Sequence, residues 1–232
     1  MLKDWVSNGQ TILVDKPLKW TSFDVVKKLR WHLRQRLGVK KIKVGHAGTL
    51  DPLASGLLVL CIGKDTKKID SYMIGTKLYT GTILLGKTTP SYDLETEFDA
   101  SFPTDHIGEK ELEAVRRTFL GDQDQVPPMF SAKQIEGQRA YDIARAGGQV
   151  EMKANRIQVQ RFEIDATDFP AIRFEIACSK GTYIRSIAYD FGARLHSGAT
   201  LVELRRTRSG DFDIRDAKSV DEWIEIIDST AI

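Results

Sequence analysis

Cysteine is scarce in this chain: 232 residues contain two, Cys61 and Cys178. Each lies in an apolar or strand-like run and neither sits in a ligand-spaced pair, so a disulfide framework is not expected. Buried, reduced thiols are, which suits a cytoplasmic protein. Histidine is also sparse, with four residues, and none joins Cys or carboxylates at metal-ligand spacing. No run of about 18 apolar residues occurs, which argues against a membrane-spanning helix. Met1 is followed by Leu-Lys-Asp-Trp rather than an apolar segment, so no secretory signal is expected. Internal repeats and low-complexity tracts are lacking. So are a Gly-Lys-Ser/Thr phosphate loop and a clustered acid set for magnesium, which places a phosphate-cradling hydrolase last among the alternatives.

What remains is an ordinary globular composition, 41% hydrophobic and 28% charged, long enough to bury a core without staples. The net charge of +2 conceals a strong asymmetry. Residues 1–87 carry 16 Lys/Arg against 6 Asp/Glu, whereas residues 88–124 carry 3 against 10. Residues 125–210 carry 13 against 9, and residues 211–232 carry 2 against 7. Basic and acidic stretches in alternation point to one face for a polyanion and another for water; solvated charge alone is the plainer account.

Periodicity sketches the elements. Thr11–Asp15 reads as a short strand stopped by Lys16-Pro17. A basic amphipathic helix follows, capped by Thr21 or Ser22 and closed at Gly38, with Phe23, Val26, Leu29, Leu33 and Leu37 as its apolar stripe. Leu57–Ile62 reads as a buried strand and Leu78–Leu85 as an alternating one. Leu112, Val115 and Phe119 mark a helix ending at Gly121. Arg156–Ile164 and Ile172–Cys178 alternate like a hairpin. A helix over about Thr182–Leu195 turns Ile184, Ile187, Ala188, Phe191 and Leu195 inward, and Ser219 with Glu222 forms a capping box before a last helix. Strands and helices mix without βαβ alternation. The expected class is α+β, with a mixed, mostly antiparallel sheet flanked by helices.

The most distinctive string is residues 45–58, Gly-His-Ala-Gly-Thr-Leu-Asp-Pro-Leu-Ala-Ser-Gly-Leu-Leu. It sets one carboxylate, Asp51, in a glycine-dense turn, and Pro52 drives Asp51 out of the helical region. A stiff, non-helical loop is how a scaffold presents a reactive group. An Asx-turn is the plainer role for an Asp before Pro. Arg185 falls in the first turn of a helix, where a cation opposes the helix dipole, so an ion pair accounts for it better than helix stability does. His46, in the same string, reads by default as a structural hydrogen-bonder. Tyr79 reads as a half-buried sheet residue, and Asp93 as one acid among Glu95, Glu97 and Asp99.

The 45–58 string closely resembles the catalytic motif of the TruB-type tRNA pseudouridine synthases. The resemblance runs over about residues 10–210 with the motifs in family order. Asp15-Lys16-Pro17 with Thr21-Ser22 matches the first motif, Lys77-Leu78-Tyr79 a Lys-x-Tyr element, and Leu204-Arg205-Arg206-Thr207-Arg208-Ser209-Gly210 the last. Val126-Pro-Pro-Met-Phe-Ser-Ala-Lys133, with Gly137, Arg139, Tyr141, Arg145 and Gly147, matches an insertion that grips the tRNA T-arm, the thumb. The resemblance implies a pseudouridine synthase catalytic fold in a single domain over 1–232, with the thumb at about 125–150. It implies isomerisation of uridine to pseudouridine at position 55 in the T-loop of tRNA, without a cofactor or metal.

The resemblance also assigns roles. Asp51 is the essential catalytic residue, Arg185 its ion-pair partner, and Tyr79 the ring that stacks on the target base. His46, Lys67 and Asp93 lie near the RNA or the flipped uridine, Leu204 lines the uracil pocket, and Arg205 and the thumb's Arg145 face phosphate. Asp51 could attack the sugar C1′, add to uracil C6 or take a proton from C2′; each route needs one ionised carboxylate beside an extruded base. Expected partners are tRNA alone, through its T-arm, with no guide RNA and no membrane, acting as a monomer. A non-catalytic tRNA-binding or folding module on the same scaffold is the alternative. Two departures stand out. Lys19 occupies a position where the family usually has glycine. The chain also runs only about twenty residues past the last motif, so the RNA-binding PUA domain of many relatives is not expected.

Overall fold

In the computed structural model all residues are described except 132, 136, 137, 147 and 149–151, together with the side chains of 134, 135, 138, 139, 142, 144 and 145. In chain order the principal elements are α1 (Leu2–Ser7), β1 (Gln10–Lys16), α2 (Ser22–Leu37), β2 (Val44–Ala47), β3 (Ala54–Ile62), α3 (Ile69–Met73) and β4 (Lys77–Leu85). Then follow α4 (Glu109–Arg117), β5 (Gly121–Gln125), α5 (Ala140–Arg145), β6 (Asn155–Asp165), β7 (Ala171–Cys178), α6 (Ile184–Arg194), β8 (Ala199–Ser209) and α7 (Val220–Ser229). Contacts divide the chain into two units, Met1–Tyr79 with Leu204–Ile232, and Thr80–Glu203. Strands β4 and β8 run from one unit into the other.

The first unit is built round β3. Its sequence Ala-Ser-Gly-Leu-Leu-Val-Leu-Cys-Ile is apolar almost throughout because both faces are covered. One edge of β3 pairs antiparallel with the whole of β1, from Gln10↔Ile62 to Lys16↔Gly56. The other edge is shared. Antiparallel β2 takes Val59–Ile62, and parallel β8 takes Ala54–Gly56 through Leu204↔Ala54, Arg205↔Ser55 and Arg206↔Gly56. Helix α2 packs Val25, Val26, Leu29 and Leu33 onto Ile12 and Val14 of β1 and Leu58, Leu60 and Ile62 of β3, and α7 adds Val220 and Ile227. Each such side chain contributes about 1.5–3 kcal/mol when fully buried.

Both capping predictions hold in kind. Thr21 caps α2 in a reciprocal box with Asp24, Gly38 closes that helix in the left-handed region, and Ser219 with Glu222 caps α7. The α2 stripe needs one correction. Phe23 is 57% exposed and Ser22 is buried instead, because the buried arc centres on Val25, Val26 and Leu29 and Phe23 lies about 100° round from it.

The second unit orders its strands β4–β7–β6–β5. The anticipated hairpin is present, with β6 and β7 antiparallel from Val159↔Cys178 to Asp165↔Arg173. Phe119, Phe162 and Phe191 meet pairwise at 5.6–6.1 Å and tie α4, β6 and α6 together. Helix α6 starts at Ile184, two residues later than its periodicity suggests. Both cysteines are buried, as anticipated. Among the described residues no helix is long and apolar enough to cross a membrane. The overall class is α+β with a mixed, mostly antiparallel sheet and flanking helices, as expected.

Candidate active site

Asp51 sits in the six-residue connection 48–53 between β2 and β3, half-buried. Several backbone groups around it are held. The Ser22 hydroxyl, itself buried, accepts from Leu50 N at 2.8 Å and donates to Leu50 O at 3.1 Å. Lys19 N donates to Pro52 O at 2.8 Å, and Ala54 N to Asp51 O at 3.1 Å. The guanidinium of Arg206, 1% exposed, spans both ends of the turn, donating to Gly48 O from Nη2 at 3.0 Å and to Leu57 O from Nε at 2.9 Å. Gly48 (φ +91°) and Gly56 (φ +103°) adopt angles that L side chains rarely take. At Gly56 a Cβ would also lie 2.3 Å from the Arg206 carbonyl oxygen, so the close strand approach demands glycine. The parallel register sets Leu204 opposite Ala54, three residues past Asp51.

Two buried groups of the same unit feel this site. Lys16, wholly buried, donates to Pro17 O at 2.9 Å and Trp20 O at 2.6 Å. Burial pushes its ammonium down to about 8; the Asp51 carboxylate opposes that shift and the Arg206 cation adds to it. His46 lies in β2 and is half-buried, not in the turn itself as its place in the string suggested. Burial, then the Arg206 charge, lowers its pKa, against a backbone hydrogen bond with Gly48.

The remaining first-unit candidates lie on other elements. Tyr79 is buried at 8% exposure near the start of β4. Lys67 is exposed on the 3₁₀ turn Gly63–Lys68 and lines a cavity of about 630 Å³ with Arg30, Arg34, Lys40, Lys41 and Lys43. Arg205 is committed within the protein, its Nη1 and Nη2 reaching both oxygens of Asp15 at 3.0 and 2.6 Å. Arg206 does not face phosphate, as an arginine of the last motif was expected to; it is buried beneath the turn.

In the second unit the fold brings Arg185 and Asp93 together. Both are buried, with Arg185 Nε 3.6 Å from Asp93 Oδ2 and Arg185 Nη1 donating to Ser91 O at 3.3 Å. The ion pair argued from the helix position of Arg185 thus has a carboxylate in Asp93, which also accepts from Glu95 N at 3.0 Å. Tyr92, between Ser91 and Asp93 in the chain and at φ +66°, stacks on Tyr189 with ring centres 4.0 Å apart. Arg145 ends α5; its side chain, and Gly137 and Gly147 of the thumb string, lie outside the described residues. The motifs contain both Arg206 and Ser22, but assign neither the part of holding the Asp51 turn. For Arg206 the sequence signal is the juxtaposition of two arginines in an otherwise strand-like run, of which alternation allows one to point inward.

Comparison with known proteins places this architecture. The chain is similar to one in the crystal structure of a Cbf5–Nop10–Gar1 complex, with TM-score 0.71 and 26% identity, covering 97% of this chain and 56% of that one. A mixed, mostly antiparallel sheet with flanking helices of this kind is the catalytic fold of the pseudouridine synthases. Residues 34–184 match the TruB family pseudouridylate synthase N-terminal domain. The chain is 50% identical over 224 residues to tRNA pseudouridine synthase B of Phocaeicola vulgatus, covering 97% of this chain and 95% of the relative. It is 53% identical over 210 residues to the protein of the same name from Flavobacterium johnsoniae, covering 90% and 92%. The chain belongs to the TruB family of pseudouridylate synthases.

Proposed function

We propose that this enzyme isomerises uridine to pseudouridine in the T-loop of tRNA, at position 55, with Asp51 as the reacting carboxylate and no cofactor. One observation carries the reading: Asp51 is the residue about which Ser22, Lys19 and Arg206 immobilise the chain. A carboxylate fixed before substrate arrives needs little reorganisation in the transition state. Isomerisation breaks the N-glycosidic bond, turns the uracil and joins C5 to the same C1′, so the C5 proton leaves and no electrons are exchanged. Each of the three routes open to Asp51 starts from that ionised group.

The other roles follow the family resemblance. Tyr79 stacks on the extruded base, Leu204 closes an apolar wall beside it, and Arg185 orients the carboxylate, with Asp93 in turn steadying Arg185. His46, Lys67, Arg205 and the thumb's Arg145 meet the RNA. The whole chain acts as one catalytic domain with residues 125–150 as its thumb, a monomer in the cytoplasm working without guide RNA. Support comes from the motif order, from the basic first 87 residues and from relatives that match end to end.

The test is tritium release from T-arm RNA labelled at uridine C5. Wild-type protein releases tritium, and Asp51→Asn releases none while binding the RNA with unchanged affinity. Turnover by Asp51→Asn overturns the assignment. RNA binding without release by wild-type protein favours a non-catalytic module instead.

A further inference from the structure

Outside the Asp51 turn, the exposed face of α2 carries a groove with its own chemistry. Its lining is Lys19, Trp20, Asp24, Lys27, Lys28 and Trp31, and its volume is about 410 Å³. Three ammonium groups, of Lys19, Lys27 and Lys28, outnumber the one carboxylate. Asp24 keeps its charge and is held at the helix start, its Oδ2 accepting from Thr21 N at 2.9 Å and from Thr21 Oγ1 at 2.6 Å. The excess of cations gives the groove a positive field.

Two features mark it as more than solvated helix surface. Trp31 is 53% exposed, whereas the other three tryptophans of the chain are at least half-buried. Its ring is braced by His32, whose centroid lies 4.7 Å away at 83°. An exposed, oriented indole is a stacking platform. The second feature is Lys19, an exposed non-glycine residue at φ +67°. A β-carbon makes that conformation costly, and such strain persists where surroundings over-determine it, commonly at functional sites. The surroundings are specific: Lys19 N is tied to Pro52 O at 2.8 Å, one residue beyond Asp51. The same short loop passes through the Trp20 carbonyl that Lys16 holds at 2.6 Å. The backbone that fixes the reacting turn thus also fixes the cation at the mouth of the groove.

We propose that this groove binds an unpaired nucleotide of the substrate RNA flanking the target uridine, its base on Trp31 and its phosphate against Lys19 and the α2 lysines. Charge selects a polyanion and the indole selects an unstacked base, a combination that sequence-tolerant single-strand sites use. The inference rests on the proposed RNA substrate and deepens it. Lys19 and Trp31 become determinants of KM rather than of the chemical step.

The experiment measures tritium release from T-arm RNA across a salt series for wild-type protein, Lys19→Gly, Trp31→Ala and Trp31→Phe. Lys19→Gly relieves the left-handed strain and keeps the backbone N–H that donates to Pro52 O, so it is expected to melt no lower than wild type and to change KM far more than kcat. Its KM rises several-fold, and the slope of log KM against log salt falls by about one phosphate contact. Trp31→Ala raises KM roughly tenfold, within the stacking range, and Trp31→Phe recovers most of it. Unchanged KM in Lys19→Gly and Trp31→Ala overturns the proposal and leaves the groove to a protein partner. A loss of kcat at constant KM in Lys19→Gly also overturns it, since Lys19 would then act only through Pro52. If wild-type protein releases no tritium, the isomerase reading fails on its own. The groove is still read by fluorescence titration with T-arm RNA: a quench present in wild type and reduced in Trp31→Phe supports it, and identical titrations overturn it.

Discussion

At the scale of single residues, the Asp51 turn depends on Arg206 more than on its neighbours in sequence. Its guanidinium satisfies carbonyls at positions 48 and 57, so the turn opens only if a buried hydrogen bond is lost. Arg206→Met removes both donors and leaves two acceptors in a dry site, at about 1–3 kcal/mol each. We expect a lower unfolding midpoint in urea and a kcat reduced about 10- to 100-fold with KM little changed, as misplacement of a reacting group by about 1 Å produces. Ser22→Ala deletes the hydroxyl that both accepts from and donates to Leu50, and steady-state kinetics should show the same kcat-weighted loss in milder form. Gly56→Ala is the severe case. Its methyl group would meet the Arg206 backbone at 2.3 Å in a left-handed conformation, and soluble expression with a thermal melt should reveal a chain that folds poorly or not at all.

Helix α2 separates stability from catalysis at the scale of the element, through adjacent residues. Thr21 caps it, with Oγ1 accepting from Asp24 N at 3.0 Å, while Ser22 reaches away to the turn. Thr21→Ala should therefore cost about 1 kcal/mol in denaturant unfolding without moving kcat, the opposite pattern to Ser22→Ala. Strand β3 has a comparable division of labour. Its C-terminal half is edged by β2 and its N-terminal half by β8. The turn containing Asp51 leaves at the end of β2 and returns where β8 arrives, so residues 150 positions apart share one short stretch of sheet edge.

For the molecule as a whole, the buried Lys16 couples folding to alkaline pH. Its folded pKa of about 8 lies below the ordinary value of 10.5. Between those values the unfolded chain binds more protons than the folded one, so stability rises with pH from 8 to 10.5 and the full penalty is present below 8. Urea unfolding should show that rise, and Lys16→Met should abolish it. His46 works the same way at lower pH. Its pKa is lowered by burial, so stability declines as pH falls below 6.5, where the unfolded chain takes up the proton first.

The local features of this protein were legible from its amino acids. Period-two and period-3.6 patterns marked β4, α2 and the β6–β7 hairpin, because side chains that alternate or recur on one arc must be buried together, and short apolar runs marked β1 and β3. The glycines of 45–58 marked a turn that presents Asp51, because few other residues adopt those angles. What only the tertiary structure decided was which polar groups go inside. Arg205 and Arg206 are adjacent and identical, yet one meets Asp15 near the surface and the other lies buried under the turn. The choice follows from the parallel register of β8 on β3, set by packing between segments some 150 residues apart. Phe23 and Ser22 exchanged places for the same kind of reason, since the arc that α2 buries is chosen by the sheet beneath it. Local sequence states a residue's preferences; a burial cost shared across distant strands determines which of them are met.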